Sequence, residues 1–288
     1  MKKKGSRRQK LLTLLAVLAA GVLIFSLGQV GLTLMDYRRG AEEYDAAARM
    51  AGLPSSLDRP NLPAQSEIEV DPLEVLAATD LEALRTVNSE VVGWIAIPDT
   101  VISYPVLQGS NNRYYLNHTW TGERVAVGSI FMEYTASPDF SDFNTILYGH
   151  RMNNDSMFGP LRSYLKQDFW LAHPTVYLVT DAGVQAYDIF AAFEVGVHEV
   201  VYRLDLIESG LVNEFIRFSM RHSAIDTGIT PTAEDKILTL STCTGRGHDT
   251  RWVVQAVLRP EDPFAETPEE NPEETPEETS EENSEGQA

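Results

Sequence analysis

The sequence predicts a mostly β protein: a closed or nearly closed eight-stranded β-barrel with peripheral helices, preceded by one transmembrane helix. Three observations lead there. Leu11 to Met35 carries no charged residue. From Trp94 to Leu258 the chain breaks into short β-branched and aromatic runs between turn residues, the mark of strands. Few helical stretches interrupt those runs, and about eight short strands with few helices point to a sheet closed on itself.

At the N-terminus, residues 1–10 hold Lys2, Lys3, Lys4, Arg7, Arg8 and Lys10. The uncharged run 11–35 would span roughly 38 Å as a helix, more than the ~30 Å hydrocarbon core. Only Arg38 and Arg39 follow closely, so the positive-inside rule puts the N-terminus in the cytoplasm and the bulk of the chain outside. A cleaved signal peptide is the alternative. Its apolar region is normally shorter, and the small pair Ala19 and Ala20 lies inside this run. The reading adopted is a retained single-pass anchor in the plasma membrane with an extracellular domain. No cysteine follows the span to take a lipid.

Residues 36–74 read as stalk and linker. Asp36 to Met50 is polar and alanine-rich, a helical stalk, and Pro54 to Pro72 carries four prolines. A helix over Thr79 to Asn88 has Thr79 or Asp80 to cap it and Leu81, Leu84 and Val87 at helical spacing. Strands are expected at Trp94–Ile97, Ile102–Leu107, Ser129–Met132, Thr145–Tyr148, Thr175–Val179, Gln185–Val195, Lys236–Thr242 and Trp252–Leu258. Helical insertions are expected over Met157–Leu165 and Ser209–His222, the second with Leu211, Phe215 and Phe218 on one face. The folded domain is placed at 75–260. Beyond it, 261–288 repeats acidic units with almost no apolar residues and is expected to be disordered.

That tail holds twelve acidic residues and no basic one; without it the formal charge of −19 falls to −7. The acidity therefore belongs to the tail, and it argues against nucleic acid as a partner. The single cysteine excludes an intrachain disulfide and Cys-rich zinc sites, and no histidine pair has HExxH spacing, so neither metal nor cofactor is expected.

In an extracellular chain a free thiol oxidises unless it has a task, which singles out Cys243. It ends the apolar run Ile237 to Thr242 and precedes the loop Thr244 to Thr250, after which Arg251 opens the next run. If those runs are neighbouring strands, Arg251 lies beside Cys243, where a cation favours thiolate and stabilises an oxyanion. A lone cysteine is otherwise a small buried hydrophobe. His150 ends another apolar run beside Gly149, with room to face a cleft and a pKa range suited to proton transfer. The other histidines are His118, His173, His198, His222 and His248, of which His248 competes with His150 because it shares the loop with Cys243.

Thr239-Leu240-Ser241-Thr242-Cys243, with Arg251 eight positions on, resembles the Thr-Leu-x-Thr-Cys…Arg signature of sortases, and Leu147-Tyr148-Gly149-His150 resembles their histidine motif. The blocks at 92–98, 104–108, 114–118, 128–132 and 155–159, with the long helix before the cysteine strand, are similar to class B in particular. The resemblance covers roughly residues 75–260. It implies an eight-stranded barrel with a groove leading to Cys243. It also implies a cysteine transpeptidase that cuts a C-terminal sorting signal of secreted proteins after threonine. Cys243 would form the thioester, Arg251 would steady the oxyanion, and His150 would move the proton. An amine of a peptidoglycan cross-bridge, of lipid II or of a pilin lysine would resolve the intermediate. By the same resemblance Asn112, Leu116, Ser241 and Thr242 would bind the peptide. His248, Asp249 and the acidic tail receive no role from it.

Two other readings compete. A papain-like hydrolase uses the same residue types, but with the cysteine at a helix N-terminus ahead of the histidine, the reverse of the order here. A non-catalytic adhesin or scaffold would have no need of Cys243, His150 and Arg251 together.

Overall fold

The computed structural model describes residues 3–54, 71–206, 208–245 and 249–260. Helix α1 (Lys3–Met50) comes first. Between Leu11 and Met35 its large apolar side chains are exposed, and the helix is long and apolar enough to cross a membrane.

The structure departs from the expected stalk. The last turns of α1 lie on the barrel, with Gly40, Tyr44, Ala47, Ala48 and Ala51 buried at helical spacing. Gly40 permits the close approach, since a Cβ there would lie 2.7 Å from Val127 Cγ1. The Tyr44 hydroxyl bonds the Gly128 carbonyl and, at 3.1 Å, Ser129 Oγ. Trp120 Nε1 donates to the Glu43 carbonyl at 3.0 Å. A face of small residues adds little hydrophobic contrast to a sequence, so it reads as polar stalk although it packs tightly.

Two short helices follow. Asp71 caps α2 (Pro72–Ala77), accepting from Leu73 N–H at 2.9 Å, and Pro72 sits where a missing N–H has no cost. Asp80 caps α3 (Leu81–Arg85), accepting from Ala83 N–H at 2.8 Å. The expected linker falls largely on residues 55–70, outside the described residues, as do His248 and the tail 261–288.

The eight strands are β1 (Val91–Ala96), β2 (Ser103–Leu107), β3 (Ile130–Met132), β4 (Asn144–Tyr148), β5 (Thr175–Thr180), β6 (Gly183–Gly196), β7 (Ile237–Cys243) and β8 (Thr250–Leu258). They close into a barrel in the order β1-β2-β3-β4-β7-β8-β6-β5, with β5 pairing back on β1. The β2/β3 and β4/β7 pairs are parallel and the others antiparallel. Each strand coincides with an expected one apart from its ends. Trp94, Ile95, Leu147, Leu238, Leu240 and Val254 belong to one buried core.

Just ahead of β5 lies α4 (Gln167–Ala172). The expected helix over 157–165 is a 3-10 segment, Gly159–Leu165, entered through Met157 at φ +55°. The other insertion, α5 (Ser209–His222), has the expected bounds. Its Val212, Phe215 and Ile216 form a second core with Phe190, Phe193, Ile237 and Val253 on the barrel's outer surface. This crossover carries the chain from β6 past β8 to β7, and so places the cysteine strand between β4 and β8.

Candidate active site

Cys243 is the last residue of β7, half-buried. The β7/β8 register pairs it directly with Arg251. On its other side β4 runs parallel to β7 with Tyr148 opposite Ser241. Gly149 N–H still donates to the Ser241 carbonyl at 3.2 Å, so the register continues past the end of β4 and brings His150 alongside Cys243. Neighbouring strands lie about 4.8 Å apart. His150 and Arg251, both half-buried, thus flank the thiol from opposite sides.

Directly opposed residues share a face of a sheet. Tyr148, Ser241 and Val253 therefore lie on the same face as the thiol, one step back along the strands, and that face is the outer one. Beneath them a buried network ties the three strands together. Thr239 Oγ1 donates to Asn144 Oδ1 at 2.6 Å and accepts from Gln255 Nε2 at 3.1 Å. Asn144 Nδ2 donates to the Val201 carbonyl at 3.1 Å, which fixes the loop carrying Tyr202. The Tyr202 hydroxyl lies 2.9 Å from Ser241 Oγ. Burial pushes the Tyr202 pKa up to about 12, with the Ser241 bond and Arg251 opposing the rise. It therefore stays a neutral hydroxyl beside the thiol.

Among the described residues the His150 ring makes one identified hydrogen bond: Nε2 lies 2.6 Å from the Leu116 carbonyl oxygen. A carbonyl can only accept, so Nε2 carries the proton and donates it, leaving Nδ1 for other work. The Leu116 carbonyl is itself positioned by tight packing on Gly128, at φ +59°, where an added Cβ would stand 2.8 Å from that oxygen and 2.6 Å from the Tyr115 oxygen.

The expected peptide-binding residues are placed unequally. The Leu116 side chain is 42% exposed next to His150. Asn112 donates from Nδ2 to Glu133 at 2.6 Å and accepts at Oδ1 from Tyr134 N–H at 3.0 Å. Ser241 shares the cysteine's face but is buried under Tyr202. Thr242 is not brought to the groove. The period of two along β7 turns it to the opposite face, where it is 2% exposed and its Oγ1 has no hydrogen-bond partner among the described residues.

Sequence reasoning missed three groups here. Tyr202 sits on a 3-10 turn, Val200–Tyr202, that no periodicity announces. Buried Glu133 accepts from Asn112 and, at 3.0 Å, from the Tyr148 hydroxyl, whose pKa is raised by burial and by that carboxylate. Arg151 follows His150 and reaches the cysteine loop. Only the strand-end position of Tyr148, two residues before His150, gave a signal in the sequence. Asp249 is exposed, its carbonyl accepting from Val197 N–H at 3.1 Å.

Comparison with known proteins adds matches in both sequence and fold. The family model for the Sortase domain matches residues 95–259. Sortase B of Listeria monocytogenes is 31% identical over 229 residues, covering 80% of this chain and 88% of that protein. Among solved structures, sortase B from Bacillus anthracis in complex with AAEK1 aligns with a TM-score of 0.64 and 32% identity, over 78% of this chain and 98% of that one. The Staphylococcus aureus sortase B-substrate complex aligns at 0.59 and 34% identity, over 62% and 83%. A sortase B complexed with triglycine aligns at 0.59 and 34%, over 62% and 84%.

Proposed function

We propose that this chain, which belongs to the sortase family and to its class B branch, cleaves a C-terminal sorting signal after threonine through a Cys243 thioester and transfers the protein to an amine of the cell wall. It is a sortase-type cysteine transpeptidase. The observation that carries the residue assignment is the strand register, which sets Arg251 and His150 on either side of the thiol at the open end of β7.

In this reading the Cys243 thiolate attacks the threonine carbonyl. Arg251 faces the developing oxyanion, where a fixed cation stabilises the transition state more than the ground state. His150 donates a proton from Nδ1 to the departing amine and takes one from the entering amine. Its Nε2–H remains on the Leu116 carbonyl throughout, which holds the ring in one orientation. Asn112, Leu116 and Tyr202 line the approach to the thiol. Ser241 supports Tyr202 from below.

The sorting-signal partner is supported by the relative described with a substrate, and an amine acceptor by the relative described with triglycine. The acceptor is a peptidoglycan cross-bridge or lipid II amine, or a pilin lysine. The apolar part of α1 anchors the enzyme in the plasma membrane. Its basic start is cytoplasmic and the barrel is outside, as the positive-inside rule directs. The end of α1, from Gly40 onward, packs on the barrel and in this reading acts with the domain placed at 75–260.

The test incubates the full chain in detergent micelles, wild type and Cys243→Ala, with quenched peptides carrying Thr-Gly or Thr-Asn sites and an oligoglycine or diaminopimelate acceptor. The reading expects amine-ligated product from the wild type alone. Cleavage without ligation to either amine would favour a hydrolase instead. Cleavage that persists in folded Cys243→Ala would remove Cys243 as nucleophile.

A further inference from the structure

The loop after His150 and the loop after Cys243 meet at one contact. The Arg151 guanidinium occupies the space that a side chain on Gly245 would need, with Cζ 3.0 Å from the Cβ position. Gly245 has φ +77°, so both its backbone and its lack of a side chain make room for the guanidinium. Arg151 is half-buried and has no carboxylate partner among the described residues. The nearest acid on its own loop, Asp155, is engaged by Arg162 at 3.2 Å. The cysteine loop contributes exposed Asp249, which forms no ion pair with it, and residues 246–248 include no acid. A guanidinium packed on a glycine without an acid is suited to a ligand's carboxylate, which it can grip with two parallel hydrogen bonds.

Its position says which part of the reaction it serves. Tyr148, Ser241 and Tyr202 lie on the barrel face behind the thiol, along the strands. Arg151 and Gly245 lie beyond the strand ends, past the thiol. The acyl group and the amine must occupy opposite sides of the reacting carbon. The amine that leaves and the amine that enters use the same side, because the second step reverses the geometry of the first. His150, which serves both amines, immediately precedes Arg151.

Resting on the reading above, we propose that Arg151 is the acceptor-selecting residue, and that it recognises a carboxylate on the same carbon as the attacking amine. The acceptor is then the amino-acid end of a diamino acid rather than the amino terminus of a glycine chain. The chemistry is balanced within the site. The amine nitrogen forms the new C–N bond, the C–S bond breaks, the amine proton passes to His150, and Cys243 is restored. Arg151 exchanges no proton and fixes the amine's approach.

The test uses the full chain in detergent micelles with a sorting peptide that the wild type cleaves. It compares kcat/KM for two acceptors, diaminopimelate and the same molecule with its carboxylates converted to carboxamides. The readout is the carboxylate-to-carboxamide ratio within each variant, so any general loss of activity cancels. We expect that ratio to fall roughly tenfold in Arg151→Gln and less in Arg151→Lys, as for loss of one charge-assisted contact. In the wild type the ratio should narrow as salt is raised. An Arg151→Gln ratio within twofold of wild type, or a salt-independent wild-type ratio, overturns the proposal. If the wild type ligates either acceptor while the ratio is unmoved, this inference alone fails. If no peptide yields a Cys243 thioester, the functional reading fails and takes the inference with it.

Discussion

Gly128→Ala should damage both stability and catalysis, because of where its methyl group would point. Gly128 has φ +59°, and the new Cβ would stand 2.6 Å from the Tyr115 oxygen and 2.8 Å from the Leu116 oxygen. Both neighbours are backbone atoms and cannot rotate away. The left-handed conformation alone costs alanine about 1 kcal/mol. Relieving the contacts requires the 115–116 turn to move by several tenths of an ångström, an overpacking cost of about 1–3 kcal/mol. The sum, about 2–4 kcal/mol, lowers Tm by roughly 5–15 °C in a domain of this size. The Leu116 oxygen is also the acceptor for His150 Nε2, so displacing it turns the imidazole. Thermal unfolding of the two proteins, with peptide cleavage measured well below both transitions, separates the effects. The account expects a lowered Tm and a loss of kcat that persists where the variant is fully folded. A Tm within about 2 °C of wild type, below the smallest shift expected, or full kcat, would refute the reasoning.

Other perturbations follow from the same contacts. Thr239→Val removes the hydroxyl that joins Asn144 to Gln255 and should cost about 1–3 kcal/mol, read from chemical denaturation, since both partners are buried. Glu133→Ala strips the acceptor from Asn112 and Tyr148. It should raise the KM for sorting peptide more than Glu133→Gln, which keeps an oxygen there. Arg251→Lys keeps the charge but loses the planar fork, so kcat/KM for peptide should fall about tenfold or more, with Arg251→Ala lower still. Tyr104 and Tyr202 have pKa values pushed up to about 12, both chiefly by burial. The folded state holds their protons more tightly than the unfolded state, where tyrosine titrates near 10. Their contribution to stability is thus complete below about pH 10 and is lost as pH rises toward 12. Denaturation midpoints should be level on this account from about pH 8 to 9.5 and fall above 10.

The barrel was legible because its strands are short β-branched and aromatic runs set between turn residues, several of them with alternating positions. The strand-end positions of Cys243, Arg251 and His150 were legible because each stands where an apolar run stops or, for Arg251, starts, and strand ends are where a barrel exposes side chains. What stayed hidden depends on contacts between distant residues. Tyr202 reaches Ser241 only because Asn144 bonds the Val201 carbonyl, a pairing no local pattern carries. The resemblance assigned Thr242 to the peptide, yet adjacent residues on a strand face opposite ways, and Thr242 lies on the face away from the Cys243 thiol. The packed end of α1 was read as a stalk because Gly40, Ala47, Ala48 and Ala51 have almost no hydrophobic signal. The missing side chain of Gly40 is nevertheless what lets the helix lie on Val127. Arg151 gave no signal because the space it fills is defined by Gly245, far away in the sequence.

The central claim is that Cys243 carries the acyl group between two flanking partners. Intact-mass and peptide-level mass spectrometry of the full chain, quenched early in a reaction with cleavable peptide and no acceptor, tests it most directly. The account predicts an acyl adduct on the peptide containing Cys243. That adduct should discharge when amine is added and be absent from Cys243→Ala. Peptide cleavage with no adduct on Cys243, or an adduct on another residue, would contradict it.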